Sequence, residues 1–185
     1  MNKNQIKTVS KVFLFIDLHN YSIAFIQLGE KHAEFIQDYY ILCGDIISYH
    51  GGEIFNFTGD SIFSSFFPEK VTAAVESAFE IKESFKKLTG RYKIEGLTEI
   101  ETGIGSGDVV TGVFGHRNFR KKDYFGIPLI HTSKIMHHRG IAVTWEIYEK
   151  LKENKTYRFI PLSPIKLKWQ SESLEYWSVQ KKEEV

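Results

Sequence analysis

The chain has 185 residues, 42% hydrophobic and 15% aromatic, enough to bury a substantial core as one domain and too apolar for a disordered chain. Its 24 basic and 23 acidic residues leave a net charge of +1, so no global field selects nucleic acid or a membrane surface. Cys43 is the single cysteine, which excludes an intrachain disulfide and a cysteine-based zinc site.

Residues 1–8 are polar and read as a loose leader without a signal peptide. No apolar stretch approaches membrane-span length, so a cytoplasmic protein is expected. Lys11 to Asp17 is a continuous apolar run closed by a carboxylate, the pattern of a strand buried on both faces. Asn20 or Ser22 is placed to cap a helix that opens at Ile23 and is interrupted at Gly29. Phe35 to Tyr49 continues with helical periodicity and apolar residues over much of its girth, up to Gly51-Gly52. Ile54–Phe57 and Ser61–Phe67 read as a hairpin turning at Thr58-Gly59-Asp60.

Pro68 opens the next helix, whose stripe from Val71 to Leu88 ends at Gly90. Ile100–Ser106 and Val109–Phe114 read as a second hairpin turning at Ser106-Gly107-Asp108. The glycines inside it mark close approach of a backbone or ligand. A basic stretch from His116 leads to Asp123. A helix is expected from Pro128 to about Arg139, then a strand at Ile141–Thr144 and a helix at Trp145–Leu151. Late strands are expected at Tyr157–Ile160, Ile165–Trp169 and Leu174–Val179, with residues 181–185 as a solvated tail. Helices packed on a mixed sheet, the α+β class, account for this order.

An acidic residue at the mouth of a buried strand is costly unless paired. Asp17 and Asp60 both fall at strand ends, where two carboxylates could share a divalent cation. The plainer account of Asp60 is a turn aspartate bonded to its own backbone.

Phe15-Ile16-Asp17-Leu18, Gly51-Gly52 through Gly59-Asp60, Gly103-Ile104-Gly105-Ser106-Gly107, and Asp123-Tyr124-Phe125-Gly126-Ile127-Pro128 occur in this order between about Lys11 and Ile147. In order and spacing they resemble the catalytic domains of class III nucleotide cyclases. The resemblance implies a ferredoxin-like βαββαβ core with extra C-terminal strands, and a head-to-tail homodimer with active sites at the interface. It implies two ions, Mn2+ or Mg2+, on Asp17, Asp60 and the backbone carbonyl of Leu18, acting on a nucleoside triphosphate. Asn20, Tyr21 and Ser22, at a helix N-terminus, are suited to the phosphates, and Arg117 falls at a polyphosphate contact.

Three positions, Asn56, Ile130 and Lys134, depart from the family pattern, while Asp123 matches it. Asn56 stands where a long Lys or Glu usually reads a purine, with Asp123 at the second base contact. Ile130 stands at the transition-state Asn position and Lys134 at the transition-state Arg position, where charge is kept but the bidentate fork is lost. His131 is adjacent to the former. Strand alternation puts Phe55 and Phe57 on the face opposite Asn56, with Tyr21 or Tyr124 narrowing the pocket. With the metal carboxylates kept, these departures resemble the stand-alone pyrimidine cyclases of bacterial anti-phage defence. That implies UTP or CTP as substrate, a cyclic nucleotide read by a separate effector, and no nucleic-acid or membrane partner. The alternatives are an adenylate or guanylate cyclase with an altered site, or a non-catalytic cyclase-homology module.

Overall fold

The computed structural model describes residues 6–182. Its centre is β1 (Lys7–His19), buried without a break from Val12 to Ile16. Alternation splits this run. Val12, Leu14, Ile16 and Leu18 enter the main core, while Phe13 and Phe15 enter a smaller aromatic core on the other face. The chain continues through α1 (Tyr21–Leu28), a single 3₁₀ turn at Gly29–Lys31, α2 (His32–Tyr49), β2 (Glu53–Thr58), β3 (Ser61–Phe66), α3 (Val71–Tyr92) and β4 (Glu99–His116). Then follow β5 (Phe119–Phe125), α4 (Ile127–Met136), β6 (Gly140–Thr144), α5 (Trp145–Leu151), β7 (Tyr157–Pro161) and β8 (Tyr176–Lys181).

The sheet order is β2-β3-β1-β4-β6-β8-β7, with β5 paired to β4. Neighbours among β2, β3, β1 and β4 are all antiparallel, and with α2 and α3 they form the expected ferredoxin-like βαββαβ unit. The α2 residues Phe35, Tyr39, Cys43 and Ile47 and the α3 residues Ala74, Ala78, Ile81 and Phe85 recur at helical spacing and fill the main core. Cys43 is buried there, as expected of a small core residue. The parallel β4–β6 pair and the antiparallel β6–β8 and β8–β7 pairs add the C-terminal extension.

The opposite face of the sheet carries α4. Without the glycines of β4 it could not lie there. A Cβ on Gly107 would stand 2.7 Å from Pro128 Cγ, one on Gly105 would strike Thr132 Oγ1, and one on Gly103 would stand 2.9 Å from the Met136 backbone nitrogen. Alternate glycines thus give one strand a bare track along which the helix runs antiparallel. The close approach read from these glycines is that of a backbone.

Several expectations are corrected. No hairpin forms at Ser106-Gly107-Asp108. β1 starts at Lys7 and pairs without a break, Lys11 against Gly107 and Ser10 against Asp108, so β4 stays one strand. The hairpin comes later, between His116 and Phe119, and curls β5 back over the aromatic core, where Tyr124 meets Phe55 with ring centroids 5.0 Å apart. The leader is shorter than residues 1–8, because Lys7 and Thr8 already belong to β1; residues 1–5 lie outside the described residues. Lys181 closes β8 opposite Tyr157, and only residues 183–185 of the expected tail lie outside the described residues. Ile165–Trp169 is not a strand. Ile165 makes one bridge to Leu174, and Leu167 plugs a small cluster with Ile135 and Ala142. α3 runs past Gly90 to Tyr92, where Lys93 takes the left-handed turn at φ 57 that lets Ile94 bury behind it.

We predict that Gly103→Ala will destabilise the fold by about 1–3 kcal/mol, since the new methyl meets helix backbone that has nowhere to move. Urea denaturation checks it; an unchanged midpoint would show that α4 is not seated as described.

Candidate active site

Asp17 lies on the face of β1 that carries Phe13 and Phe15, near the strand end. Ser61, the first residue of β3, donates its hydroxyl to Asp17 Oδ1 at 2.6 Å. Asp17 Oδ2 faces the end of α4, with His137 Nδ1 at 3.3 Å. Glu101 is the cross-strand partner of Asp17 on β4, and His19 Nδ1 stands 2.7 Å from its Oε1.

Asp60 sits in the tight β2–β3 turn beside Gly59, whose φ of 61° is one that glycine adopts without strain. Two tyrosines of α2 hold this turn. Tyr39 donates its hydroxyl to the Asp60 carbonyl at 3.0 Å, and Tyr40 donates to the Gly59 carbonyl. The Asp60 carboxylate accepts the backbone N–H of Asp60 itself and of Leu18. Burial first, and the Asp17 carboxylate next, hold the Asp60 carboxyl above its ordinary range against those hydrogen bonds and His137. Asp17 and Asp60 therefore feel each other's charge, and a pair of this kind is relieved by a cation. The plainer account, a turn aspartate bonded to its own backbone, covers only one of the contacts of Asp60.

The loop after β1 runs directly into α1. Asn20 takes the left-handed conformation at φ 56 and occupies the N-cap position, but its side chain makes no capping bond. The expected Asn20 cap is therefore absent, its left-handed backbone departing from the extended one of a capping residue, and Ser22 lies inside the helix. Ser22 is exposed. Burial first, then the Asp60 carboxylate, raises the Tyr21 phenol above its ordinary value.

Asn56 lies on the site face, because it pairs with Phe63, which pairs with Phe15. The expected placement of both flanking phenylalanines behind it is corrected. A bulge between Ile54 and Asn56 turns Phe55 to the site face, where it packs on Phe13 and Tyr124, while Phe57 packs on Tyr40 of α2. The Asn56 amide bonds only Thr58 Oγ1, at 3.3 Å, among the described residues. Asp123 alternates with Tyr124 on β5. Its carboxylate accepts the Tyr124 N–H at 2.9 Å, with Lys121 Nζ at 3.9 Å, so Asn56 and Asp123 share no contact.

Lys134 is exposed on α4, in one stripe with Ile127, Ile130 and His137. Arg117 is exposed at the tip of the β4–β5 hairpin, at the other end of β4 from Glu101. His131 stacks on Trp169, and its Nε2 lies 3.2 Å from Gln170 Oε1, apart from the carboxylate pair. Glu101, His19, Ser61 and His137 were not legible as site residues. Strand register brings Glu101 and Ser61 to Asp17, and His19, two residues further on in β1, meets Glu101. Only His137 left a signal, at helical spacing from Lys134.

A family model described as the adenylate and guanylate cyclase catalytic domain matches residues 1–180, and the chain belongs to that family. It is the catalytic domain of a nucleotide cyclase, a lyase. Among solved structures it is similar to the adenylyl cyclase CyaB from P. aeruginosa, with 20% identity and a TM-score of 0.88 over 97% of both chains. It is also similar to the guanylate cyclase domain of RhGC from Catenaria anguillulae, solved in complex with GTP, with 18% identity and a TM-score of 0.80 over 96% of this chain and 100% of that one. A dimeric guanylyl cyclase domain from the fungus Blastocladiella emersonii shares 17% identity and a TM-score of 0.76 over 98% of this chain and 100% of that one. At these identities the likeness establishes the fold. No curated protein sequence matches the chain. No helix among the described residues is long and apolar enough to cross a membrane.

The raised Asp60 carboxyl has a consequence for stability. The folded state holds that proton more tightly than the unfolded chain, so the carboxylate costs stability as pH rises, fully so above the folded pKa. Asp60→Asn is expected to stabilise the metal-free protein at pH 8 by at most about 1 kcal/mol, since solvent screens a half-exposed group. The gain should vanish below the ordinary carboxylate pKa, as read by melting temperature in chelator.

Proposed function

We propose that the protein converts a pyrimidine nucleoside triphosphate, UTP or CTP, to its 3′,5′-cyclic nucleotide. The ribose 3′-oxygen bonds to the α-phosphorus, the α–β phosphoanhydride bond breaks, and pyrophosphate leaves. The observation that carries the reading is the pair Asp17 and Asp60, set at two strand ends on one side of the sheet, with the Asp60 carboxyl raised by burial first and by Asp17 next. This donor set fits two divalent ions, Mn2+ or Mg2+, held by Asp17, Asp60 and the Leu18 carbonyl. Such ions, when bound, acidify the 3′-hydroxyl and draw charge from the α-phosphate.

The chain's own residues supply the rest. Asn20, Tyr21 and Ser22 stand at the open first turn of α1, where backbone N–H groups suit phosphate oxygens. Lys134 brings positive charge to the phosphates, and Arg117 brings more. Asn56 and Asp123 read the base. A short amide beside the bulged Phe55, with Tyr124 packed on that ring, favours one ring over two. A base that left the amide unpaired would be rejected strongly. The resemblance stated above supplies the biological role, a cyclic nucleotide signal in anti-phage defence read by a separate effector.

The working form is a homodimer with sites shared across the interface. The apolar girth of α2 supports this only through Ile41 and Tyr49, 50% and 84% exposed, since Phe35, Tyr39, Cys43 and Ile47 are spent on the core. Phe119, Phe125, Ile127 and Ile130 also support it, being 71%, 51%, 44% and 41% exposed in one region of β5 and α4. In the head-to-tail pair that the resemblance implies, a second copy would carry Arg117 and Lys134 to the carboxylates.

Incubation with each of the four nucleoside triphosphates and Mn2+ or Mg2+, with products read by mass spectrometry, tests the chemistry. Cyclic UMP or cyclic CMP is expected well ahead of purine products, and Asp17→Ala or Asp60→Ala should remove at least about 10³ in rate while the fold persists. Purine products alone would replace the substrate assignment; no product from any nucleotide would favour the non-catalytic module.

Sharing of sites has its own test. Asp17→Ala and Lys134→Ala are each expected to be inactive. Mixed in equal amounts, they should recover about a quarter of wild-type activity, since half the dimers carry one intact site in a two-fold arrangement. No recovery, with subunit exchange verified, would put Lys134 and Asp17 in the same subunit's site.

A further inference from the structure

The cyclase reading leaves a set of donors beside Asp17 unused. Glu101 faces Asp17 across β4 and is only 4% exposed, an expensive position for a carboxylate without compensation. His19 stands in ion-pair range of Oε1, yet that oxygen accepts no aligned hydrogen bond among the described residues. On the far side, His137 presents Nδ1 to Asp17 Oδ2 at 3.3 Å. One donor atom each from Asp17, Glu101 and His137 lies within 4.8 Å of the other two.

Two carboxylate oxygens and one imidazole nitrogen, converging from β1, β4 and the end of α4, are more than an acidic cluster. Ligands about 2.1 Å from one ion stand about 3–4 Å apart, the separation found between His137 and Asp17. Ser61 holds Oδ1 of Asp17 toward β3, which leaves Oδ2 to this second group. His19 would orient Glu101 from outside, as second-shell partners do.

We infer that Asp17, Glu101 and His137 form a cation site of their own on the β4–α4 side of Asp17, selective for a transition-metal divalent ion such as Mn2+ over Mg2+. The selectivity follows from the imidazole, since Mg2+ takes oxygen ligands and nitrogen donors favour the softer first-row ions. The inference rests on Asp17 being a metal ligand, as proposed above, but not on Asp60. Glu101 and His137 would make Asp17 a ligand shared between this ion and those facing Asp60.

The test is Mn2+ and Mg2+ binding to the whole chain without nucleotide, by calorimetry, with pulsed EPR of bound Mn2+ to detect coupling to a directly bound ¹⁴N. Nitrogen coupling is expected in the wild type and in Asp60→Ala. His137→Ala and His137→Gln should lose it and weaken Mn2+ by about tenfold or more, with Mg2+ little changed, since even outer-shell partners are worth about 10–100-fold. Glu101→Gln should weaken Mn2+ while keeping the coupling. His137 is 61% exposed, so its replacement leaves the core alone, and near-ultraviolet dichroism verifies the fold. No nitrogen coupling in the wild type, or coupling that survives in both His137 variants, overturns the site. Nucleotide turnover that depends on Asp17 and Asp60 would then still stand, so the two readings fail separately.

Discussion

The seating of α4 on the bare face of β4 is the contact on which the rest of the site depends. A helix approaches a strand this closely only where the strand has no side chains, and Gly103, Gly105 and Gly107 supply that gap on one face. The same progression that sets Pro128 over Gly107 and Met136 over Gly103 ends with His137 beside Asp17. It also fixes which α4 residues point outward. Ile127, Ile130, Lys134 and His137 form one stripe because Thr132, Ile135 and Met136 are pinned beneath.

Around that contact the protein concentrates charge that it does not neutralise internally. Asp17, Asp60 and Glu101 lie close together, and two of them are held above the ordinary carboxylate range by burial and mutual repulsion. Structure that serves only stability would not keep such a group. The framework that holds it is stiff. Tyr39 and Tyr40 tie the β2–β3 turn to α2, and the β1–β4 ladder runs from Lys7 to His19 without a slip. Strained electrostatics on a rigid scaffold is the arrangement that a bound divalent cation would relax.

The opposite region of β5 and α4 shows the other imbalance. The aromatic surplus of the composition is largely absorbed, with Phe13, Phe15, Phe55, Phe63 and Tyr124 packed edge to face over the sheet. Part of what is left exposed lies on β5 and α4, at Phe119, Phe125, Ile127 and Ile130, while Phe25, Tyr49, Phe57, Phe67, Trp145 and Trp169 are exposed elsewhere. The homodimer proposed above would cover the part of this apolar surface that lies on β5 and α4.

Sequence alone determined the strands and helices whose periodicity is strong. The buried run of β1, the stripe of α3, the β2–β3 turn and the helix after Pro128 were all legible, and so were Asp17 and Asp60, because a carboxylate that ends an apolar run announces its own cost. Tertiary structure decided everything that depends on register. Whether Ser106-Gly107-Asp108 turns or continues is a question of what lies opposite, and the partner strand proved long enough to carry it on. The bulge that turns Phe55 to the site face exists only in the β2–β3 ladder. Glu101 meets Asp17 because two distant strands align at that pair, and His137 arrives because a helix needs glycines beneath it. Local patterns record the preferences of a segment, whereas such meetings are set by the pairing of segments far apart in the chain.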